Sequence, residues 1–173
     1  MKSLVIGILL LTASHHLVAQ TSSGGPYPVR PRFNIDFEIA VPGGEFGHQF
    51  GVGFGGSGGL DIPVTRSFYA TGSAGVMSLY QGNKNIPTDT RTFIPMKVGG
   101  KVYFNPIFYA QMELGTAVGV QQGAGTAFIM TPGVGMSYHI TEKAAINAGV
   151  RFENWSREQR GINLLTFKVG YQF

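Results

Sequence analysis

The chain has no cysteine, so it can have no disulfide framework, no thiolate metal site and no lipid-bearing amino-terminal Cys. It also lacks any apolar run near 18 residues beyond its first two dozen positions, which excludes a helical membrane span in the body of the protein. Histidine is scarce: two of the four, His15 and His16, fall in the amino-terminal segment, and His48 and His139 lie in separate turns, which gives no convergent ligand set for a metal. Lys2 aside, twelve basic residues face nine acidic ones, too even and too scattered a balance to indicate nucleic acid. The glycine run 51–59 lacks the Lys-Ser/Thr ending of a phosphate loop, and no helical pattern follows it.

What is present begins with an export signal. Lys2 is followed by an apolar stretch, Leu4 to Leu11, and by a small residue, Ala19, before Gln20. The apolar core is shorter than the ~20 residues of a membrane-spanning helix, so residues 1–19 read as a cleavable signal peptide. Residues 20–32, with Ser, Gly and three prolines, read as a flexible arm, and 33–173 as one folded domain.

From there the apolar residues recur at every second position. Phe33, Ile35, Phe37, Ile39 and Val41 interleave with Asn34, Asp36, Glu38 and Ala40, and the last strand alternates Leu165, Phe167, Val169, Tyr171 and Phe173 with Thr166, Lys168, Gly170 and Gln172. Successive side chains of a strand point to opposite faces, so each segment has one apolar and one polar face. Eight such segments can be marked: 33–41, 49–59, 68–80, 92–104, 108–120, 126–138, 144–153 and 161–173. Phe50, Val52 and Phe54 are placed on one face of the second, with Asp61 in the turn after it. In the third, Phe68, Ala70, Ala74, Val76 and Tyr80 are placed outward. Pro132 removes a ladder donor from the sixth, so a bulge is expected there.

Segments of this length cross a bilayer at a tilt, and a chain that is apolar in total yet broken at every second residue fits a membrane β-barrel. The expected fold is therefore all-β: an eight-stranded antiparallel up-and-down transmembrane barrel. An even strand number puts both termini on one side, with the turns at Asn105-Pro106 and 139–143 on that side and the segments 81–89 and 155–160 opposite.

The closing strand, ending on Phe173, resembles that of bacterial outer-membrane β-barrels. In that class Tyr171 and Phe173 belong to the signal read by the insertion machinery. The spacing as a whole resembles the outer-membrane-protein β-barrel domain family, in the size class of OmpX and the OmpA barrel. Phrases such as Phe93-Ile94-Pro95-Met96-Lys97-Val98-Gly99-Gly100 and Phe108-Tyr109-Ala110-Gln111-Met112-Glu113-Leu114-Gly115 look like versions from Bacteroidetes-type bacteria. The resemblance implies a cell outer-membrane location with termini in the periplasm. It also implies outer-membrane lipid, periplasmic chaperones and the barrel-insertion machinery as partners, no cofactor, and a monomer.

On these phases eight charges point inward: Asp36, Glu38, Glu113 and Glu153 against Lys97, Lys101, Arg151 and Lys168. Equal numbers favour mutual neutralisation and a closed lumen. With Phe104 opposite Phe108, Glu113 falls opposite Gly99 and diagonal to Lys97 and Lys101, so contact with at least one of those lysines is expected. Asp36, Glu38 and Lys168 are expected at one depth, where the first and last strands close the barrel. Trp155 and the tyrosines Tyr69, Tyr80, Tyr103, Tyr109, Tyr138 and Tyr171 are read as interfacial aromatic girdles.

Ser137-Tyr138-His139 with nearby Glu142 is the one cluster comparable to a lipid A deacylase. Its order departs from that family's His-x-Ser and it lies at the periplasmic end, so no catalytic residue is assigned and the chain is expected not to be an enzyme. Three functions follow in order: a structural or surface-contact barrel with a charge-paired lumen, a narrow channel for small solutes, and a soluble lipocalin-like carrier. The carrier requires an apolar interior, opposite to the phase of the charges.

Overall fold

The computed structural model describes residues 30–43, 50–81, 90–121, 125–141, 143–157 and 160–173, so the signal segment, His48 and the stretch 82–89 lie outside it. Eight strands run in chain order: β1 (Arg32–Gly43), β2 (Phe50–Pro63), β3 (Phe68–Gln81), β4 (Arg91–Tyr103), β5 (Phe108–Gly119), β6 (Thr126–His139), β7 (Ala145–Arg157) and β8 (Arg160–Gln172). Each pairs antiparallel with its sequence neighbours, and β8 returns to β1 to close a barrel. No backbone edge is left open, the condition for a sheet to exist in hydrocarbon.

The registers fix the barrel's dimensions. From Phe33 the cross-strand partners run Leu60, Gly72, Val98, Leu114, Met130, Asn154 and Asn163, and return to β1 at Gly43, ten residues beyond the start. Eight strands about 4.8 Å apart with a shear of ten tilt by about 40° and leave a backbone radius of about 8 Å. Such a cylinder is only wide enough for its own side chains.

At the end where β1 begins and β8 finishes, the end of the termini, the three turns are tight and each is closed by a side chain. Thr65 Oγ1 accepts from the Phe68 amide at 3.0 Å, Asn105 Oδ1 from the Ile107 and Phe108 amides at 2.9 and 2.8 Å, and Thr141 Oγ1 from the Lys143 amide at 3.2 Å. Short polar side chains that bond their own turn hold hairpin register, and a one-residue slip would turn every inward charge to the outside.

Alternation holds through nearly all strands: Phe33, Ile35, Phe37, Val98, Phe152 and Val169 are exposed on the outer wall, while Asn34, Asp36, Glu38, Lys97, Arg151, Glu153 and Lys168 beside them are buried. The third strand faces as expected, with Tyr69, Thr71, Met77 and Leu79 inside.

Several details differ from expectation. A register shift between Phe50 and Val52 flips the phase of β2, so Phe50 points into the lumen while Phe54 points out. A bulge inserts one unpaired residue, which the alternation of glycines conceals. β2 also continues through Asp61 to Pro63, because Leu60 and Ile62 carry the outward phase past the glycines. Pro132 makes no bulge: Met130 pairs with Asn154 and Gly133 with Arg151 in one unbroken register, and the ladder to β7 merely skips Thr131 and the proline. Arg32 opens β1, and β7 extends through Trp155 to Arg157, so neither residue belongs to a loop.

Candidate functional site

The lumen holds the buried polar groups and is layered along its axis. Its middle layer contains all eight charges placed inward by the sequence, each at most 5 % exposed, together with two more, Asp61 and Arg32. The buried set is therefore five acids and five bases: Asp36, Glu38, Asp61, Glu113 and Glu153 with Arg32, Lys97, Lys101, Arg151 and Lys168.

Arg151 is the hub. Its Nη2 lies 2.8 Å from Glu38 Oε2 and 3.0 Å from Glu153 Oε1, and its Nη1 3.8 Å from Glu113 Oε2. A planar guanidinium presents five donors in a fixed fork, which suits it to three carboxylates arriving from different strands. Lys97 reaches Glu153 at 3.5 Å, Lys101 reaches Asp61 at 2.5 Å, and Lys168 reaches Asp36 at 3.2 Å across the β1–β8 seam, where Glu38 and Lys168 are register partners.

Neutral donors complete the carboxylates. Ser57 Oγ donates to Glu38 at 2.6 Å, Thr71 Oγ1 to Glu113 at 3.0 Å, Gln172 Nε2 to Asp61 at 3.0 Å and Trp155 Nε1 to Glu153 at 2.9 Å. Isolated charges would be expensive to bury here; these ten form a neutral set in which every carboxylate has a cationic partner.

Glu113 does not touch Lys97 or Lys101, although Gly99 and Glu113 are register partners as expected. In so narrow a barrel side chains converge on the axis, so a residue three strands away is as near as a diagonal neighbour. Lys97 crosses to β7, Lys101 to β2, and Arg151 takes Glu113 instead.

Above the charged layer, at the end away from the termini, the lumen is apolar. Ala40, Phe50, Met77, Leu79, Phe93, Ala117, Ala127, Ile129, Trp155 and Leu164 form one buried cluster, with the rings of Phe93 and Trp155 edge to face at 5.1 Å. Below the charges, the Tyr103 ring meets Tyr69 edge-on and Tyr109 at a tilt, each at 5.5 Å between centroids, Lys101 Nζ lies 4.8 Å from the Tyr109 ring centroid, and Arg32 covers Tyr69 at 5.5 Å while donating to Gln172 Oε1 at 3.1 Å. Trp155, Tyr69, Tyr103 and Tyr109 thus fill the lumen and are not girdle residues; Tyr80, Tyr138 and Tyr171 face outward. A small barrel needs large rings inside as well as outside, and one-letter patterning cannot tell the two uses apart.

The space left over is small. A polar cavity bounded by Asn34, Asp36, Ser73, Lys101 and Lys168 offers about 10 Å³ to a water centre, room for one molecule. Asn34 Oδ1, Asp36 Oδ1 and Ser73 Oγ are buried there without protein partners. Ser137 Oγ is fully buried with no hydrogen-bond partner, so no base is in place to activate it, and Glu142 lies outside the described residues.

Arg32 and Asp61 were legible in principle. Arg32 continues the inward phase of Asn34 and Asp36 one step back, and Asp61 sits between two outward apolar residues, Leu60 and Ile62.

No protein-family model matches the chain, and no curated protein matches it in sequence. Solved structures do match in fold. Ail of Yersinia pestis superposes with a TM-score of 0.57 at 12 % identity over 83 % of this chain and 97 % of Ail. Neisserial surface protein A gives 0.58 at 13 % identity over 82 % and 95 %, and the outer membrane protein AlkL 0.51 at 13 % over 89 % and 94 %. The shared fold is the closed eight-stranded β-barrel of bacterial outer-membrane proteins.

Proposed function

We propose that the chain is a small barrel of the bacterial outer membrane with a closed, charge-paired lumen, serving a structural or surface-contact role in the envelope rather than transport or catalysis. The outer wall, apolar between an upper and a lower ring that include Tyr80, Tyr138 and Tyr171, matches a lipid-facing band. Its finer kinship, on this reading, is with the OmpX-like barrels of Bacteroidetes-type bacteria.

The observation that carries the reading is the filling of the lumen. A conducting pore needs a continuous wet path, and this axis is crossed first by an apolar layer around Phe93 and Trp155 and then by the Arg151 network. Charged groups in such a dry plug act as structural ties. A surface-contact role has a parallel in Ail, which has been solved with the heparin analogue sucrose octasulfate.

Liposome swelling tests the proposal. Vesicles carrying the refolded full chain are expected to swell no faster in small sugars or amino acids than empty vesicles. Solute entry graded by solute size would make the chain a channel.

A further inference from the structure

The apolar outer wall is not equally tall all round. From the first to the last large exposed apolar side chain, β7 runs over 146–152, β8 over 165–173 and β1 over 33–41, whereas β2 to β6 run over 54–64, 68–80, 94–104, 108–120 and 128–140. The three short stretches lie side by side, because β7, β8 and β1 are consecutive around the barrel. At a tilt of about 40° each residue climbs about 2.5 Å along the axis, so the wall is about 15 to 20 Å tall there and about 25 to 30 Å elsewhere.

Between β8 and β5 the difference lies at the end away from the termini. The hydrogen-bonded row through Leu114 continues to Met130, Asn154, Asn163 and Gly43. Each strand crossed raises that row by about 3 Å, which sets Asn163 level with Val118 on β5, and Phe173 level with Phe108 at the other end, to within about 1 Å. Yet β5 stays apolar through Val118 to Val120, while the outward positions beyond Phe152 and Leu165 are Asn154 and Asn163. Asn154 Nδ2 donates to Asn163 Oδ1 at 2.7 Å. Two amides carry more donors than that one bond uses, and the rest call for water or headgroups. A flat bilayer fits one wall only, since tilting the barrel slants both edges of the belt and leaves one wall shorter than the other.

We propose that the barrel thins the membrane along its closing seam. Over β7, β8 and β1 the leaflet away from the termini brings its headgroups and water down to Asn154 and Asn163, while hydrocarbon stands up to Val120 on β5. The inference rests on the chain being an outer-membrane barrel. A bilayer yields to a short apolar face more cheaply than polar amides enter hydrocarbon.

The chain has no cysteine, so a single introduced one takes a nitroxide at a chosen height. In dioleoylphosphatidylcholine vesicles, relaxation by oxygen, which concentrates in hydrocarbon, and by a water-soluble nickel chelate gives the depth of each label. Asn163→Cys is expected at headgroup level and Val118→Cys about 5 Å or more deeper, half or more of the difference in wall height. Tyr171→Cys and Ala110→Cys, level with each other near the termini, should be equally deep. Adding Asn154→Leu and Asn163→Leu should draw a label at Phe152→Cys deeper. Equal depth at Asn163 and Val118 would overturn the thinning. So would a Tyr171 label deeper than the Ala110 label by as much as the Asn163 label is shallower than that at Val118, the mark of a tilted barrel in a uniform bilayer. An Asn163 label shielded from both reagents would put a second copy there instead. Val118 and Ala110 labels both outside hydrocarbon would overturn the membrane barrel itself, and the thinning with it. Should a labelled variant lose its heat-dependent gel mobility, water-edited solid-state NMR of the unmodified chain in the same bilayers decides: Asn154 and Asn163 should take up water magnetisation and Val118 should not, and equal uptake would overturn the thinning.

Discussion

Lys101 and Asp61 measure how dry the lumen is. Lys101 is 1 % exposed; its ammonium touches Asp61 and lies 4.8 Å from the Tyr109 ring centroid. Lys101→Met keeps most of the side chain's bulk and deletes the charge, leaving Asp61 with Gln172 as its hydrogen-bond donor and with Arg32, its register partner on β1, as the nearest backbone-paired cation. Breaking a buried ion pair by removing one partner costs about 3 to 5 kcal/mol, and Gln172 should hold the loss near the lower figure. Asp61→Asn added to Lys101→Met removes the stranded charge and keeps a partner for Gln172. The double variant should therefore recover most of the loss, giving a coupling energy of about 2 kcal/mol or more. In a water-filled pore the same pair would couple by no more than about 1 kcal/mol. Reversible urea unfolding from lipid vesicles, followed by the fluorescence of the single Trp155, supplies the four free energies. Single-variant costs that add to within about 0.5 kcal/mol would refute the dry, charge-paired lumen.

Arg151→Met strands Glu38 and Glu113 and leaves Glu153 with Lys97 alone, so it should be the most damaging single change in the lumen, seen as a lower midpoint for the heat-dependent shift in gel mobility than that of Lys97→Met, after which Glu153 still has Arg151. Gly99→Ala would drive its new carbon into the Met112 carbonyl and the Glu113 backbone, an overpacking cost of about 1 to 3 kcal/mol, whereas Gly72→Ala should be neutral in the same unfolding assay. Deleting Phe173 should reduce the amount of protein in the outer-membrane fraction far more than replacing it with Tyr, since the ring packs edge to face on Tyr171 at 4.9 Å and, on the resemblance, marks the chain for insertion. Normal outer-membrane levels of the deletion variant would remove that role.

The strand count, the closure and the phase of most strands were legible because lipid and lumen impose opposite demands on alternate residues. Asn34, Asp36 and Glu38 opposite Phe33, Ile35 and Phe37 leave no other arrangement. Part of what stayed hidden comes from reading polarity as direction. Phe50 and Trp155 are apolar and point inward beside Leu79, Phe93, Ile129 and Leu164, because the end of the lumen away from the termini is packed like a protein core and needs greasy side chains too. Tyr69, Tyr103 and Tyr109 were misplaced because rings near strand ends were read as interfacial girdles. Ion partners were hidden for a different reason. Adjacent-strand geometry gives diagonals, but at a radius of about 8 Å the axis is within reach of every long side chain, so Arg151 on β7 decides the fate of Glu38 on β1 and Glu113 on β5.

The central claim is that the axis is sealed twice, by the apolar layer and by the charge network. Single-channel recording from the purified, refolded wild type in planar lipid bilayers tests it most directly: with insertion verified by the heat-dependent gel shift of the same preparation, the current should stay at the baseline of the empty bilayer across the applied voltages. Regular, reproducible conductance steps would contradict the seal.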